Sequence, residues 1–280
     1  MEWHKLKNII LLILLVVNGF LLVLVGSQRR EDAEYERRAL EQTVQVLERS
    51  GIQVKLEAVD PADGLSPSMV ERDLEREAQL ARALLGQTAE ADNRGGGLYF
   101  YRSDEGELSV RTGGELSAKL EGGAHWQTDH PERRAAELLK KMGIDAEQID
   151  VAEEGEWTRV RFRQRWNGAA VFSCEIEFVY QGGVLDSIQG TLLTAQAGTA
   201  EAGQVLTLPT ALMRFSEAVG ATGDVCSAIQ SMEAGYRGTA QSLSGGTRLA
   251  PVWLVTTDTA KYYLDCATGS LTRVADQSRT

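Results

Sequence analysis

Residues 8–25 read NIILLILLVVNGFLLVLV, an apolar run without a charge and without a counterpart elsewhere in the sequence. About 18 to 20 apolar residues match a bilayer core of roughly 30 Å, so the pattern predicts a membrane-spanning helix. A cleaved signal would carry a shorter apolar core, of about 7 to 15 residues, and small residues at its cleavage site. Here the run ends in Val23-Leu24-Val25 and passes through Gly26-Ser27-Gln28 into Arg29-Arg30. An uncleaved, single-pass anchor is the expectation. No cysteine stands near its end to support lipoprotein processing. Lys5 and Lys7 before the run and Arg29 and Arg30 after it leave the positive-inside count nearly balanced. The very short N-terminal tail decides the expected topology: N-terminus cytoplasmic, the remainder extracytoplasmic in the cell membrane.

Beyond the anchor the period changes repeatedly. At 28–49, Ala33, Leu40, Val44 and Leu47 mark one face of a stalk helix, stopped by Ser50-Gly51. Alternation at Ile52, Val54, Leu56 and Ala58 predicts a strand over 52–59, closed by a turn at Pro61. Ser66-Pro67 is expected to open a second helix, with Val70, Leu74, Ala78, Ala81 and Leu85 at helical spacing and Gly86 at its end. Short strands are expected at 97–102 and 107–112. A third helix is expected over 129–143, capped by Asp129 with Glu132 three residues on. Strands at 157–166, 170–180 and 184–194 follow, joined by Asn167-Gly168 and Gly182-Gly183. A fourth helix from Leu208-Pro209 to Gly220 precedes strands at 229–237, 249–257, 260–266 and 270–274. One helix followed by an antiparallel meander thus occurs twice, which points to a weak internal duplication of an α+β unit. The expected fold class is α+β, with the division 1–27 for tail and span, 28–123 for stalk and first α+β region, 124–200 for a second unit and 201–280 for a C-terminal unit.

Composition narrows the function classes. The chain has 280 residues, a formal net charge of −11 and a pI near 4.9. That acidity argues against nucleic acid or anionic lipid as the main partner. Cys174, Cys226 and Cys266 fit no metal spacing; buried inert thiols are expected, with a Cys226–Cys266 bridge as the alternative. His125 and His130 flank Asp129, but a zinc site needs three or four ligands, and Asp129 and His130 are better read as a helix start. No nucleophile elbow, catalytic triad spacing or phosphate-binding glycine loop is present. Asp150, Glu153 and Glu154 read as a solvated acidic stretch. The expectation is a non-enzymatic protein with no cofactor. Trp253, Tyr262 and Tyr263 form an aromatic cluster read as sheet core, or alternatively as a peptide groove.

Two residues of the apolar run are unusual. Asn18 is polar near the membrane centre and Gly19 follows it. A strongly apolar helix tolerates one Asn; alternatively, the amide and the small residue serve a helix–helix contact.

The N-terminus, with Trp3, Lys5 and Lys7 ahead of a span carrying Asn18, Phe20, Leu21 and Leu22, resembles YycI-type proteins of the YycH/YycI family. The stalk followed by Gly51-Ile52-Gln53-Val54 and a turn with Pro61 is similar to that family as well. Ala250-Pro251-Val252-Trp253-Leu254-Val255 through Tyr263-Leu264-Asp265 to Thr268-Gly269-Ser270-Leu271 resembles the last strands of a PepSY-like unit. The resemblance implies repeated PepSY-like units and an accessory protein of the WalK/WalR (YycG/YycF) two-component system. Its partner would be the sensor histidine kinase in the membrane, with a YycH-like protein as a further candidate, and its output would bear on the Gram-positive cell wall. The expected contact residues are Trp3, Lys5, Lys7, Asn18, Gly19 and Phe20. The rival expectation is a membrane-tethered PepSY-type inhibitor or chaperone of an exported hydrolase.

Overall fold

A computed structural model describes residues 3–55, 64–121, 123–195, 198–201, 203, 205–240 and 246–274, with backbone alone at 3–10, 12, 22–33 and 124. The fold is mixed α+β and mostly sheet: four α-helices and fifteen strands among the described residues, all strands belonging to one sheet.

Helix α1 (Trp3–Arg49) is unbroken over 47 residues and includes the expected stalk. Among the described residues no helix is long and apolar enough to cross a membrane. The span expected at 8–25 falls partly on side chains outside the described set, at 8–10, 12 and 22–25. Gly51, at φ 87°, turns the chain out of α1, and Ile52 N–H donates back to the Leu47 carbonyl at 2.9 Å. The expected strand at 52–59 is described only as β1 (Gln53–Val54); residues 56–59 and Pro61 lie outside the described residues.

The second helix does not begin at Pro67. Ser68–Val70 is a strand, β2, paired with β11 (Gly198–Ala200) and with β13 (Thr247–Thr257). Pro fits extended backbone as well as a first helical turn. The true start is at Asp73, whose carboxylate accepts from Arg76 N–H at 3.0 Å, so α2 is Leu74–Leu85. Strands β3 (Glu90–Asn93), β4 (Tyr99–Ser103), β5 (Gly106–Val110) and β6 (Glu115–Leu120) form a meander after it. Strands β3 and β6 are additions to the sequence reading. β6 carries a clean alternation, with Leu116, Ala118 and Leu120 buried; β3 is exposed throughout and has no apolar period to read.

Helix α3 (Pro131–Lys141) starts two residues later than expected, and its N-cap is His130 without a side-chain cap bond. The Asp129–Glu132 capping box is therefore not formed; Thr128 Oγ1 accepts from His130 N–H instead. The meander β7 (Ala146–Glu154), β8 (Trp157–Trp166), β9 (Ala169–Gln181) and β10 (Val184–Thr191) follows. The acidic stretch containing Asp150, Glu153 and Glu154 is thus a strand at the sheet's edge: two of its carboxylates meet arginines of β8, Asp150 on Arg161 at 2.6 Å and Glu154 on Arg159 at 3.1 Å, while Glu153 lies opposite Thr158. Helix α4 (Leu208–Thr222) runs through Gly220 to a left-handed Gly223. It leads into β12 (Ala228–Ala240), β13, β14 (Lys261–Asp265) and β15 (Leu271–Arg273), again a meander.

The two meanders meet where β9 and β12 pair in parallel, Ala170 opposite Gly235 and Val171 opposite Tyr236. A Cβ at Gly235 would stand 2.5 Å from the Ala170 carbonyl oxygen, so this seam requires glycine. Pro251 sits inside β13 where one edge changes partner, from β2 at 247–249 to β14 at 252–256. A strand residue without an N–H is tolerated at such a break.

Two main cores result. One packs α2 and α3 on β4–β6 and β8–β10, around Leu84, Leu108, Leu139, Phe178 and Tyr180. The other packs α4 and the end of α1 on β12–β14, around Leu47, Phe215, Met232, Trp253 and Tyr262.

Candidate functional site

The six expected contact residues all lie on α1. The side chains of Trp3, Lys5 and Lys7 are outside the described set. Asn18, Gly19 and Phe20 are described and exposed, Phe20 at 64%. Around them Leu11, Ile13, Leu14, Leu15, Val16, Val17 and Leu21 are also exposed. A Cβ at Gly19 would meet nothing within 4 Å. Asn18 Nδ2 donates to the Leu14 carbonyl one turn back, at 2.9 Å. That bond uses one of the amide's two donors and leaves its carbonyl oxygen to outside groups. Leucines and valines occupy every side of this segment, a pattern that suits an apolar surrounding on all sides and not packing through a single face.

Further along, α1 becomes polar and is laced by the ion pairs Arg38–Glu34 at 3.1 Å and Arg37–Glu41 at 3.3 Å, both solvent-exposed. Such pairs contribute only about 0.3–0.5 kcal/mol each. The last turns then dock. Val44 and Leu47 are buried, Leu47 within the cluster that holds Phe215 and Val219 of α4, and Thr43 Oγ1 donates to the Ala39 carbonyl. Strand β1 continues the attachment by pairing in parallel with β12, Gln53 opposite Ala228. The helix bearing the apolar segment is thereby joined to the C-terminal sheet through a packed seam. The spacing of Leu40, Val44 and Leu47 signalled a buried face; the receiving residues on α4, more than 160 positions away, gave no local signal.

The remaining candidates separate. His125 bonds Glu105 at 3.1 Å and tilts against Trp126, while His130 caps α3 through its backbone. Among the described residues no group of three or more His, Cys, Asp or Glu could hold a metal. The aromatic cluster is split by the sheet: Trp253 and Tyr262 are buried under α4, with Tyr262 edge-on to Phe215, whereas Tyr263 lies on the opposite face beside Phe172 with Arg237 over its ring. The cysteines are unbridged. Burial pushes the Cys174 thiol up to about 11 and the Cys266 thiol up to about 12, the latter helped by Asp265. Burial, with Asp258, also raises that of Cys226. Thiols so shifted are poor nucleophiles near neutral pH.

No family model matches the chain, and no curated protein matches it. Among solved structures it is similar to an uncharacterized protein from Eubacterium rectale, with a TM-score of 0.47 and 12% identity over 80% of this chain and 90% of that one. It is also similar to the Bacillus megaterium YpeB C-terminal domain, with a TM-score of 0.35 and 11% identity over 74% of this chain and 100% of that one. Likenesses at this level carry no assignment of family or function.

Proposed function

We propose that this chain is a non-enzymatic, membrane-anchored regulator that binds a sensor histidine kinase of the WalK (YycG) type and alters its signalling in cell-wall homeostasis. The observation that carries the reading is the continuity of α1. Its described apolar side chains from Leu11 to Leu21 are exposed, and its last turn is built into the C-terminal core at Leu47. A helix of that kind suits a bilayer at one end and a rigid outer domain at the other. In the bilayer, the free donor and acceptor of Asn18 need partners, and a neighbouring transmembrane helix supplies them for about 0.6 to 2 kcal/mol. Trp3, Lys5 and Lys7 then sit at the cytoplasmic interface, and Gly19 and Phe20 in the helix contact. The regulator shifts kinase output only through a difference in its affinity for the kinase's two states. The order of helix then meander, seen at α3–β10 and again at α4–β15, supports two PepSY-like units as the extracytoplasmic part.

The test is a photo-crosslinking residue at position 18 in native membranes, with mass spectrometry of the adduct. A histidine kinase in the adduct is the expected result; lipid alone would remove the contact from the bilayer. Asn18→Leu should weaken kinase control while leaving insertion intact.

The Asn18–Leu14 bond favours a second reading, a tethered PepSY-type inhibitor or chaperone of an exported hydrolase, because an amide turned back on its own helix also suits a plain anchor. Replacement of residues 8–25 by an unrelated span discriminates the two: function retained means tether, function lost means kinase contact.

A further inference from the structure

A concave site lies between the C-terminal half of α2, the β4–β5 turn and α3, with a volume of about 450 Å³. Small-molecule sites span roughly 300 to 1,000 Å³. Ala83, half-buried, and the almost wholly buried Leu84, Leu138 and Trp126 line its apolar side. Its cations are Arg82, Arg134 and Lys141.

Most described arginines hold a carboxylate or a carbonyl, as Arg72, Arg102, Arg159, Arg161 and Arg163 do. Arg82, Arg134 and Lys141 hold neither among the described residues. The carboxylates that line the same site are already engaged: Glu137 accepts from Arg133 at 3.0 Å, and Glu105 pairs with His125 at 3.1 Å.

Helix-end electrostatics do not account for the arrangement. Arg82 and Lys141 lie in last turns, where a cation is favoured. Arg134 lies in the first turn of α3 and is half-buried, where the dipole opposes it. Three unpaired cations gathered on one apolar recess, in a chain of net charge −11, leave a local positive potential that an anion can satisfy.

We propose that this recess binds a small amphipathic carboxylate. Its apolar body lies on Leu84, Leu138 and Trp126, and its carboxylate lies among Arg82, Arg134 and Lys141. The site belongs to the α2–α3 half of the fold and is independent of any kinase contact.

The test uses the full chain in a non-ionic detergent, with no kinase present, and isothermal titration calorimetry. The probe is N-acetyl-L-phenylalanine, compared with N-acetyl-L-phenylalaninamide and inorganic phosphate. The acid should bind, and the amide, lacking the charge, should bind about tenfold more weakly or worse. Phosphate, lacking the apolar body, should also bind more weakly. Arg134→Gln should lower affinity for the acid by about tenfold, as the loss of one charge-assisted hydrogen bond requires. Ala83→Trp, at a half-buried wall position, should fill the recess and abolish binding while the circular dichroism spectrum stays unchanged. Absence of binding at millimolar acid, equal binding of acid and amide, phosphate binding as tightly as the acid, or an affinity indifferent to Arg134→Gln would each overturn the proposal.

Discussion

Glu77 is a carboxylate at the N-terminal end of the buried face of α2. On α2 the buried positions are Glu77, Leu80, Ala81, Leu84 and Leu85, which is helical spacing from end to end. Glu77 is 1% exposed. It survives there because Arg72 forks onto it, Nε to Oε1 at 2.6 Å and Nη2 to Oε2 at 2.7 Å, and Thr194 Oγ1 donates to Oε1 at 3.1 Å. The guanidinium is satisfied in turn by the Gly97 carbonyl at 2.6 Å, Thr112 Oγ1 at 3.1 Å and the Val110 carbonyl at 3.2 Å, and it lies 5.0 Å from the centre of the Tyr99 ring. One ion pair therefore ties α2 to β4, β5 and the segment after β10. Glu77→Ala leaves a charged guanidinium, 14% exposed, without its counter-charge, and Thr194 without its acceptor. Breaking a buried pair in this way costs about 3–5 kcal/mol. Glu107→Ala deletes the exposed pair with Arg102, at 66% and 46% exposure, and should cost less than about 1 kcal/mol. The double change Arg72→Met with Glu77→Leu removes both charges and should recover most of the loss. Urea unfolding of the full chain in non-ionic detergent, followed by near-ultraviolet circular dichroism, measures all three. A Glu77→Ala cost no larger than that of Glu107→Ala would refute the reasoning.

Leu47→Ala should cost about 2–5 kcal/mol and open the α1–α4 seam, read as faster tryptic cleavage near Arg49; an unchanged digestion pattern would show that the stalk is not held there. Gly235→Ala drives a Cβ onto the Ala170 carbonyl and should destabilise strongly, whereas Gly220→Ala on α4, where a Cβ meets nothing within 4 Å, should gain about 0.5–1 kcal/mol; comparable effects at the two sites in thermal unfolding would contradict the seam. Cys174 and Cys266 should resist Ellman's reagent at pH 8 in the folded chain. Because burial raises both thiols, their contribution is intact below the unfolded value of about 8.5. It is lost as pH climbs toward about 11 for Cys174 and about 12 for Cys266, so Cys174→Ala should flatten the alkaline decline in stability.

Much of the fold could be read from local pattern. Alternation marked β8 to within a residue, and Asn167, at φ 50°, with Gly168 marked the hairpin that follows. The helix-then-meander order of the second half was equally local. Pro67 misled because proline suits both a first helical turn and extended chain, and only pairing with β11 and β13 makes Ser68–Val70 a strand. Asp129 misled because a cap depends on backbone angles, and His130 takes that position.

By itself the sequence determined the apolar segment with Asn18 in it, the alternation of helices and strands, and the docking face of Leu40, Val44 and Leu47, since each is a periodic property of neighbouring residues. Tertiary structure decided the rest. Glu77 looks like a solvated charge until Arg72 and Thr194 are brought to it, and Arg82 with Arg134 look like ordinary surface cations until α2 and α3 close on one recess. The parallel seam at Gly235 joins strands some 65 positions apart. Burial, counter-charge and close backbone approach are set by residues distant in the chain, and no local period encodes them.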